Sequence, residues 1–521
     1  MGFVLLVFMC NAMVKAQDTV TIKTNAGPVV GEVSDGIRVF KGIPYAAPPV
    51  GDLRWRAPQA VAPWQSPRQC QNFSSRCPQP DVSDRPWLGK AGPMDEDCLY
   101  LNVWAPSDVK KPLPVMVWIH GGGFTIGAGS LDFYEGKAFA KEQVVLVTIN
   151  YRLGPFGFFG HEALAKESPN HVSGNYGLLD QIAALQWVQR NIQSFGGDPN
   201  CVTIFGESAG SVAVTCLMVS PLAKGLFHRA IAQSGTGTSI YQQLNEPHKR
   251  SKSLHATGNV LADKLGIDAS DTDALAKLRN VSAQKLLEIS NPQLISQGLQ
   301  GTKFGPVIDG YVLPANPGKM FANGQQHPIP LMIGSNQQDG ILHASALPIR
   351  RVQGYKWILN RLFGKDGPAV FDLFPAKTND DIKQAKLDLM TVSAFAAPSR
   401  RLAAAMQNVA TPAYLYEFTR ISPAAKRKGL GAVHGAEIVY LFDTFGHPTG
   451  YDQTDHQLAN QMRTYWINFA TTGNPNGSNL PHWPTYDVTD QHMQFGDTSQ
   501  AGKHLYKQAC DIFDRVVIQE Q

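Results

Sequence analysis

Charge is scarce in this chain. Lys, Arg, Asp and Glu together make up 17% of the 521 residues, and the formal net charge is only +4. A composition so poor in charge, with 43% hydrophobic residues, excludes a disordered or coiled-coil protein and suits a large buried core. Basic residues do not run together. The densest group, Lys426-Arg427-Lys428, reads as a solvated loop, so no nucleic-acid partner is expected. Long apolar runs are also missing. The stretch from Phe3 to Cys10 is about half of the ~20 residues needed to span a bilayer, so no stable membrane anchor is expected. There is no internal repeat. No H-E-x-x-H pattern or Cys/His ligand cluster occurs, so neither a metal nor an organic cofactor is expected.

The same apolar start, followed by Val14-Lys15-Ala16 with small residues at the cleavage positions, resembles a secretory signal, although no Lys or Arg precedes it. The expected organisation is a signal peptide over 1–16 and a single domain over 17–521, with a secreted or periplasmic location. Of seven cysteines, Cys70, Cys77, Cys98, Cys201, Cys216 and Cys510 would remain after cleavage. Export permits disulfides, but spacing does not give the pairings of Cys70, Cys201 and Cys510. Cys216 reads as an inert core thiol. Asn72, Asn280 and Asn476 begin glycosylation triplets, which matter only in a eukaryotic secretory route.

Continuous apolar runs at 115–119, 144–149, 202–205, 331–333 and 413–418 predict strands covered on both faces, as in a parallel sheet. Leu178, Ile182, Leu185, Val188, Ile192 and Phe195 recur at three- and four-residue steps, and Gly196-Gly197 ends that helix. A second helix is expected over 457–472, before Gly473. Strands alternating with helices argue an α/β fold with a central, mostly parallel sheet flanked by helices. Short strands at 20–23, 29–33 and 37–40 predict a small antiparallel N-terminal edge. The segment 240–300 reads as helical and polar, a lid or wall over the carboxyl edge of the sheet.

Gly206-Glu207-Ser208-Ala209-Gly210 follows the run 202–205 and precedes a helical pattern. This is the nucleophile elbow of the α/β-hydrolase fold in its strand-turn-helix setting. The serine occupies a sharp, strained turn, and side chains two residues away on either side would meet backbone; the two glycines remove them. His120-Gly121-Gly122-Gly123 ends the run 115–119, where an oxyanion loop belongs. The N–H groups of Gly122, Gly123 and Ala209 are the expected oxyanion donors. His120 itself reads as structural. A serine hydroxyl needs a base, and the chain order in this fold is Ser, acid, His. Of fourteen His, His434 alone lies in a glycine loop after a late strand, in Gly431-Ala432-Val433-His434-Gly435. Asp339, before Gly340 and after the run 331–333, is the candidate acid that would hold the imidazole tautomer. Asp309 and Asp443 are also loop acids.

These motifs resemble the type-B carboxylesterase family, which includes the cholinesterases. The resemblance runs from about residue 20 to about residue 490. It is carried by Phe40-Lys41-Gly42-Ile43-Pro44-Tyr45-Ala46 with Leu53-Arg54-Trp55, by Glu96-Asp97-Cys98-Leu99-Tyr100-Leu101-Asn102-Val103, and by Phe205 to Gly210. It implies a Cys77–Cys98 disulfide, which would contribute roughly 3 kcal/mol in the chain-entropy picture. It implies structural ion pairs, Arg54 with Glu96 and the Asn150-Tyr151-Arg152 segment with Asp180. Asp339 stands where the family usually carries Glu. Trp87, inside the Cys77–Cys98 loop, reads as a rim residue rather than a choline site. The expected activity is carboxylic-ester hydrolysis through Ser208, His434 and Asp339 and an acyl-enzyme, on a small-molecule ester. The alternatives are a thioester or lactone hydrolase with the same machinery, or a non-catalytic adhesion ectodomain. The preferred acyl and alcohol groups and the oligomeric state are not legible.

Overall fold

The computed structural model describes residues 18–81, 92–248, 251–268, 271–290, 304–446 and 450–520. The expected signal segment, with Cys10, and Trp87 lie outside them. Thirteen strands among the described residues form one sheet. In chain order they are β1 (Thr19–Lys23), β2 (Pro28–Ser34), β3 (Ile37–Pro44), β4 (Arg68–Gln69), β5 (Tyr100–Pro106), β6 (Leu113–Ile119) and β7 (Val145–Ile149). There follow β8 (Gly197–Glu207), β9 (Arg229–Gln233), β10 (Leu331–Asn336), β11 (Ala413–Phe418), β12 (Gln491–Phe495) and β13 (Ser499–Lys503). The spatial order is β1-β2-β3-β5-β7-β6-β8-β9-β10-β11-β12-β13, with β4 beside β2.

From β7 to β12 every neighbouring pair is parallel, whereas β1-β2, β2-β3, β3-β5, β5-β7 and β12-β13 are antiparallel. This is the α/β-hydrolase sheet, with its antiparallel N-terminal edge. The continuous apolar runs are the central strands. All residues of β7, β10 and β11 are buried, because helices cover both faces. The helix Tyr176–Asn191 packs beneath one face, and Gln453–Thr472, fixed at its start by the Asp452/Asp455 capping box, covers the other. The helices expected in 240–300 are Leu254–Lys264, Ala274–Arg279 and Ala283–Ser290.

One buried and one half-buried ion pair brace the loops at the carboxyl edge. Arg152 donates bidentately to Asp180 (2.8 and 2.7 Å), and its backbone N–H adds a third bond (3.0 Å). Arg54 pairs with Glu96 (Nε–Oε2 2.7 Å) and donates to the carbonyls of Arg279 and Val281 (2.8 and 2.6 Å). The expected Cys77–Cys98 bridge is corrected: both are buried free thiols. The Cys77 sulfur accepts from the Leu153 N–H (3.2 Å). A hydrogen bond to Cys77, then burial, holds the Cys98 thiol far above its ordinary pKa. Cys216 is fully buried, as expected of a core thiol.

Candidate active site

Ser208 sits where β8 turns into the helix Ala209–Leu217, with φ 57° and ψ −122°. A positive φ at a residue with a Cβ is strained, and only surroundings that over-determine it keep it there. Two of those surroundings are the flanking glycines. A Cβ on Gly210 would lie 1.9 Å from the Ile119 carbonyl oxygen, and one on Gly206 would lie 2.5 Å from the same atom. Both positions are closed to any side chain, so the elbow can press against β6. The Ser208 N–H is held by the Gln233 carbonyl (2.8 Å).

The glycine loop after β6 lies against this turn. A Cβ on Gly121 would meet the Glu207 carbonyl oxygen at 2.8 Å and the Ser208 Cβ at 3.1 Å. Gly122 and Gly123 have φ of 102° and 63°. Gly122 accepts from the N–H groups of Thr125 and Ile126. Among the described residues the N–H groups of Gly122, Gly123 and Ala209 donate to no acceptor of the chain. His120 fixes the loop from within. Its ring is buried, stacks on Tyr151 at 4.4 Å and donates from Nδ1 to the Gly121 carbonyl (2.8 Å), while Tyr151 donates to the His120 carbonyl (2.8 Å). Burial lowers the His120 pKa to about 4, so the ring is neutral and structural.

The structure brings Asp339 and His434 together from loops after β10 and β11. Asp339 is fully buried; one oxygen accepts from His434 Nδ1 (2.7 Å) and the other from the Asn336 N–H (2.8 Å). The other loop acids are placed elsewhere. Asp309 caps a turn, accepting from the N–H groups of Tyr311, Val312 and Leu313, and from Asn175. Asp443 is exposed.

His434 Nε2 lies 3.2 Å from Glu207 Oε1. Among the described residues it forms no hydrogen bond with Ser208, the next residue along from Glu207. Phe395 lies beside the imidazole, with ring centroids 5.2 Å apart. A third carboxylate, Glu437, is buried and bonded by Asn336 (2.6 Å) and Gln233 (3.1 Å). Sequence reasoning missed Glu207 and Glu437 as members of the site. The available signal was position: Glu207 is the variable residue inside the elbow, and Glu437 comes three residues after His434.

These charges set the protonation. Burial opposes charging His434, but Glu207, Asp339 and Glu437 outweigh it and raise its pKa to about 10. Burial raises Glu207 to about 8 and also raises Glu437. Protons at Glu207 and His434 are therefore shared: neutralising Glu207 removes part of what holds the proton on the imidazole.

A doubly covered parallel sheet, a strained serine at a strand-to-helix turn and an acid-bound imidazole define a hydrolase of the α/β-hydrolase fold. The chain belongs to the carboxylesterase family, whose profile matches residues 17–362 and 368–513, and it is an enzyme of the serine carboxylesterase class. It is 40% identical to the fumonisin B1 esterase of Sphingopyxis macrogoltabida, over 92% of this chain and 87% of that one. It is 37% identical to the para-nitrobenzyl esterase of Bacillus subtilis (strain 168), over 89% and 92%. A solved PNB esterase structure superposes with a TM-score of 0.82 at 34% identity, covering 95% of this chain and 99% of that one.

Proposed function

We propose that Ser208 is the nucleophile, His434 the general base and Asp339 the acid that orients it, in hydrolysis of small-molecule carboxylic esters through an acyl-enzyme. Ser208 Oγ attacks the ester carbonyl carbon and passes its proton to His434 Nε2. Asp339 keeps Nδ1 protonated, so that Nε2 is the free base once its own proton is lost, and stabilises the imidazolium. The carbonyl oxygen gains the negative charge, which the N–H groups of Gly122, Gly123 and Ala209 receive. Collapse expels the alcohol with the proton from His434. Water then attacks the acyl-enzyme, activated by the same imidazole, and frees the acid and Ser208. The serine must first come within hydrogen-bond reach of Nε2; rotation about its Cα–Cβ bond supplies that freedom, and such bonds tighten only once substrate is bound.

The observation that carries this reading is the short Asp339–His434 bond (2.7 Å) beside a serine held at φ 57°. Export to an extracytoplasmic compartment, from the N-terminal apolar stretch, belongs to the same proposal. The test is hydrolysis of nitrophenyl esters of rising acyl length by the wild type and by Ser208→Ala. The variant is expected to lose at least about 10⁴-fold in kcat across the series, and also to lose labelling by a serine-directed phosphonate. Full activity in the variant would overturn the mechanism.

A further inference from the structure

We propose that the solvent face of the helix Val352–Phe363 is a peripheral docking surface for anionic lipid bilayers. Its placement starts from the core side of that helix. Tyr355 and Leu359 are fully buried, and they pack with Val370, Ile382, Ala385 and Phe513 in a cluster of their own beside the main sheet. Tyr355 Oη also donates to the carbonyls of Phe374 and Ala385 (3.2 and 3.4 Å). One side of the helix is thereby fixed. The opposite side, two residues (about half a turn) along from the buried positions, carries Trp357 and Arg361, both exposed.

Trp357 is 59% exposed, and Leu362, near the end of the same helix, 57%. They are two of the eight strongly exposed large apolar side chains among the described residues, and Trp357 is the one aromatic ring in that set. An isolated exposed leucine needs no explanation, but a tryptophan at the crest of a well-packed helix does.

Charge decides which occupant fits. From Arg350 to Lys365 the chain carries Arg350, Arg351, Lys356, Arg361 and Lys365 and no acid. None of the five forms an ion pair among the described residues. Arg361 lies over the Trp357 ring (5.4 Å), and Lys356 over Phe371 (4.5 Å). The wider segment 350–387 holds eight Lys and Arg against four Asp, and the remainder of the chain is balanced at thirty-eight of each sign. Every acid of the segment lies at Asp366 or beyond, so its positive excess falls on the helix and its two ends. An exposed indole with cations around it is the pattern that lies in a bilayer interface, where rings enter the headgroup layer and Lys and Arg meet anionic headgroups.

The surface also has a route to the catalytic residues. The layer under it includes the helix Ile382–Thr391, which runs on into Val392–Ala396, and there Phe395 borders His434. Thr391 holds the Gly340 N–H (2.9 Å), next to Asp339. Such docking would be reversible and distinct from a spanning anchor; no helix among the described residues is long and apolar enough to cross a membrane.

The test is co-sedimentation of the full chain with large vesicles of pure phosphatidylcholine, or of phosphatidylcholine with about a third phosphatidylglycerol, at low and high salt. Binding is expected only to the anionic vesicles and is expected to weaken at high salt, because the interaction is screened. Each cation near the surface is worth about fivefold, so Lys356→Glu with Arg361→Glu should weaken partitioning more than about twentyfold. Trp357→Ala should weaken it too. Both variants should keep wild-type kcat/KM on a soluble nitrophenyl ester, which shows that they fold. Equal binding to both vesicle types, no binding, or anionic binding that the variants leave intact would overturn the proposal. So would a Trp357-dependent dimer in sedimentation without vesicle binding, which would make the face a contact between copies.

Discussion

Within the site, the side chain with the largest unassigned influence is Glu207. In the proposed mechanism His434 must be neutral to accept the serine proton, and a carboxylate 3.2 Å from Nε2 holds a proton on it. Glu207→Gln removes that charge. The proton whose loss activates the site should then leave at lower pH, so the acid limb of kcat/KM should move down by about one unit. The check is a pH–rate profile with a soluble ester; a limb that stays in place or moves up contradicts the electrostatic account. Much of the site was legible residue by residue because its backbone demands are severe. A serine at positive φ requires glycine on both sides, and a donor loop pressed against it requires glycine again. Asp339 was less legible than Ser208 or His434, because Asp309 shares its setting of a loop before glycine, and only the fold shows which acid meets the imidazole. Glu207 and Glu437 were not legible: a buried carboxylate carries no local pattern, and its significance comes from a charge brought close by another segment.

Among the elements, legibility followed burial. The strand 413–418 was read at its observed bounds, and β6, β7 and β10 within a few residues, because strands covered on both faces leave unbroken apolar runs. β5, β9, β12 and β13 left weaker traces. β5 carries Asn102, whose amide bonds to Thr148 (2.9 Å) and to the Gly129 carbonyl (3.5 Å) inside the protein, so its polarity hides its burial. β9 opens on an arginine and closes on a glutamine, and β12 with β13 form a mixed, partly exposed edge. The loops that join these strands are tied by ion pairs, which yields a prediction at this scale. Arg152 and Asp180 are both buried, and among the described residues Asp180 is the one acid paired with Arg152. Asp180→Asn would leave a buried guanidinium without its counter-charge, at a cost of about 3–5 kcal/mol. The midpoint of denaturant unfolding should fall accordingly. A change below about 1 kcal/mol would mean that the loop re-solvates the arginine and that the pair is not a brace.

For the molecule as a whole, the buried carboxyls make stability depend on pH in a definite direction. Glu207 has a folded pKa of about 8 against an ordinary 4.5, and Glu437 and the largely buried Glu417 are raised as well. Between the unfolded and the raised value the folded state binds the extra proton, so stability is full below about pH 4.5 and declines as pH climbs toward about 8. His434, raised from 6.5 to about 10, has the same sign and extends the decline into the alkaline range. Ion-paired acids act oppositely. Asp455 and Asp490 have lowered pKa values, burial being overcome by their bonds to Arg420 and Arg400, and their contribution is lost as pH falls below about 4. The two trends cross on the acid side of neutrality. Histidines whose pKa burial lowers, His120 among them, also lose their contribution as pH falls below about 6.5. Thermal unfolding followed from about pH 4 to about pH 9 should therefore show its highest Tm between about pH 6 and about pH 7, with a fall above it. Glu207→Gln should flatten that fall up to about pH 8, since it removes one of the groups that must lose its proton inside the fold. A wild-type Tm that rises through neutrality would mean that these carboxyls are ionised in the folded protein, and the charge-sharing that sets the His434 proton would fail with it.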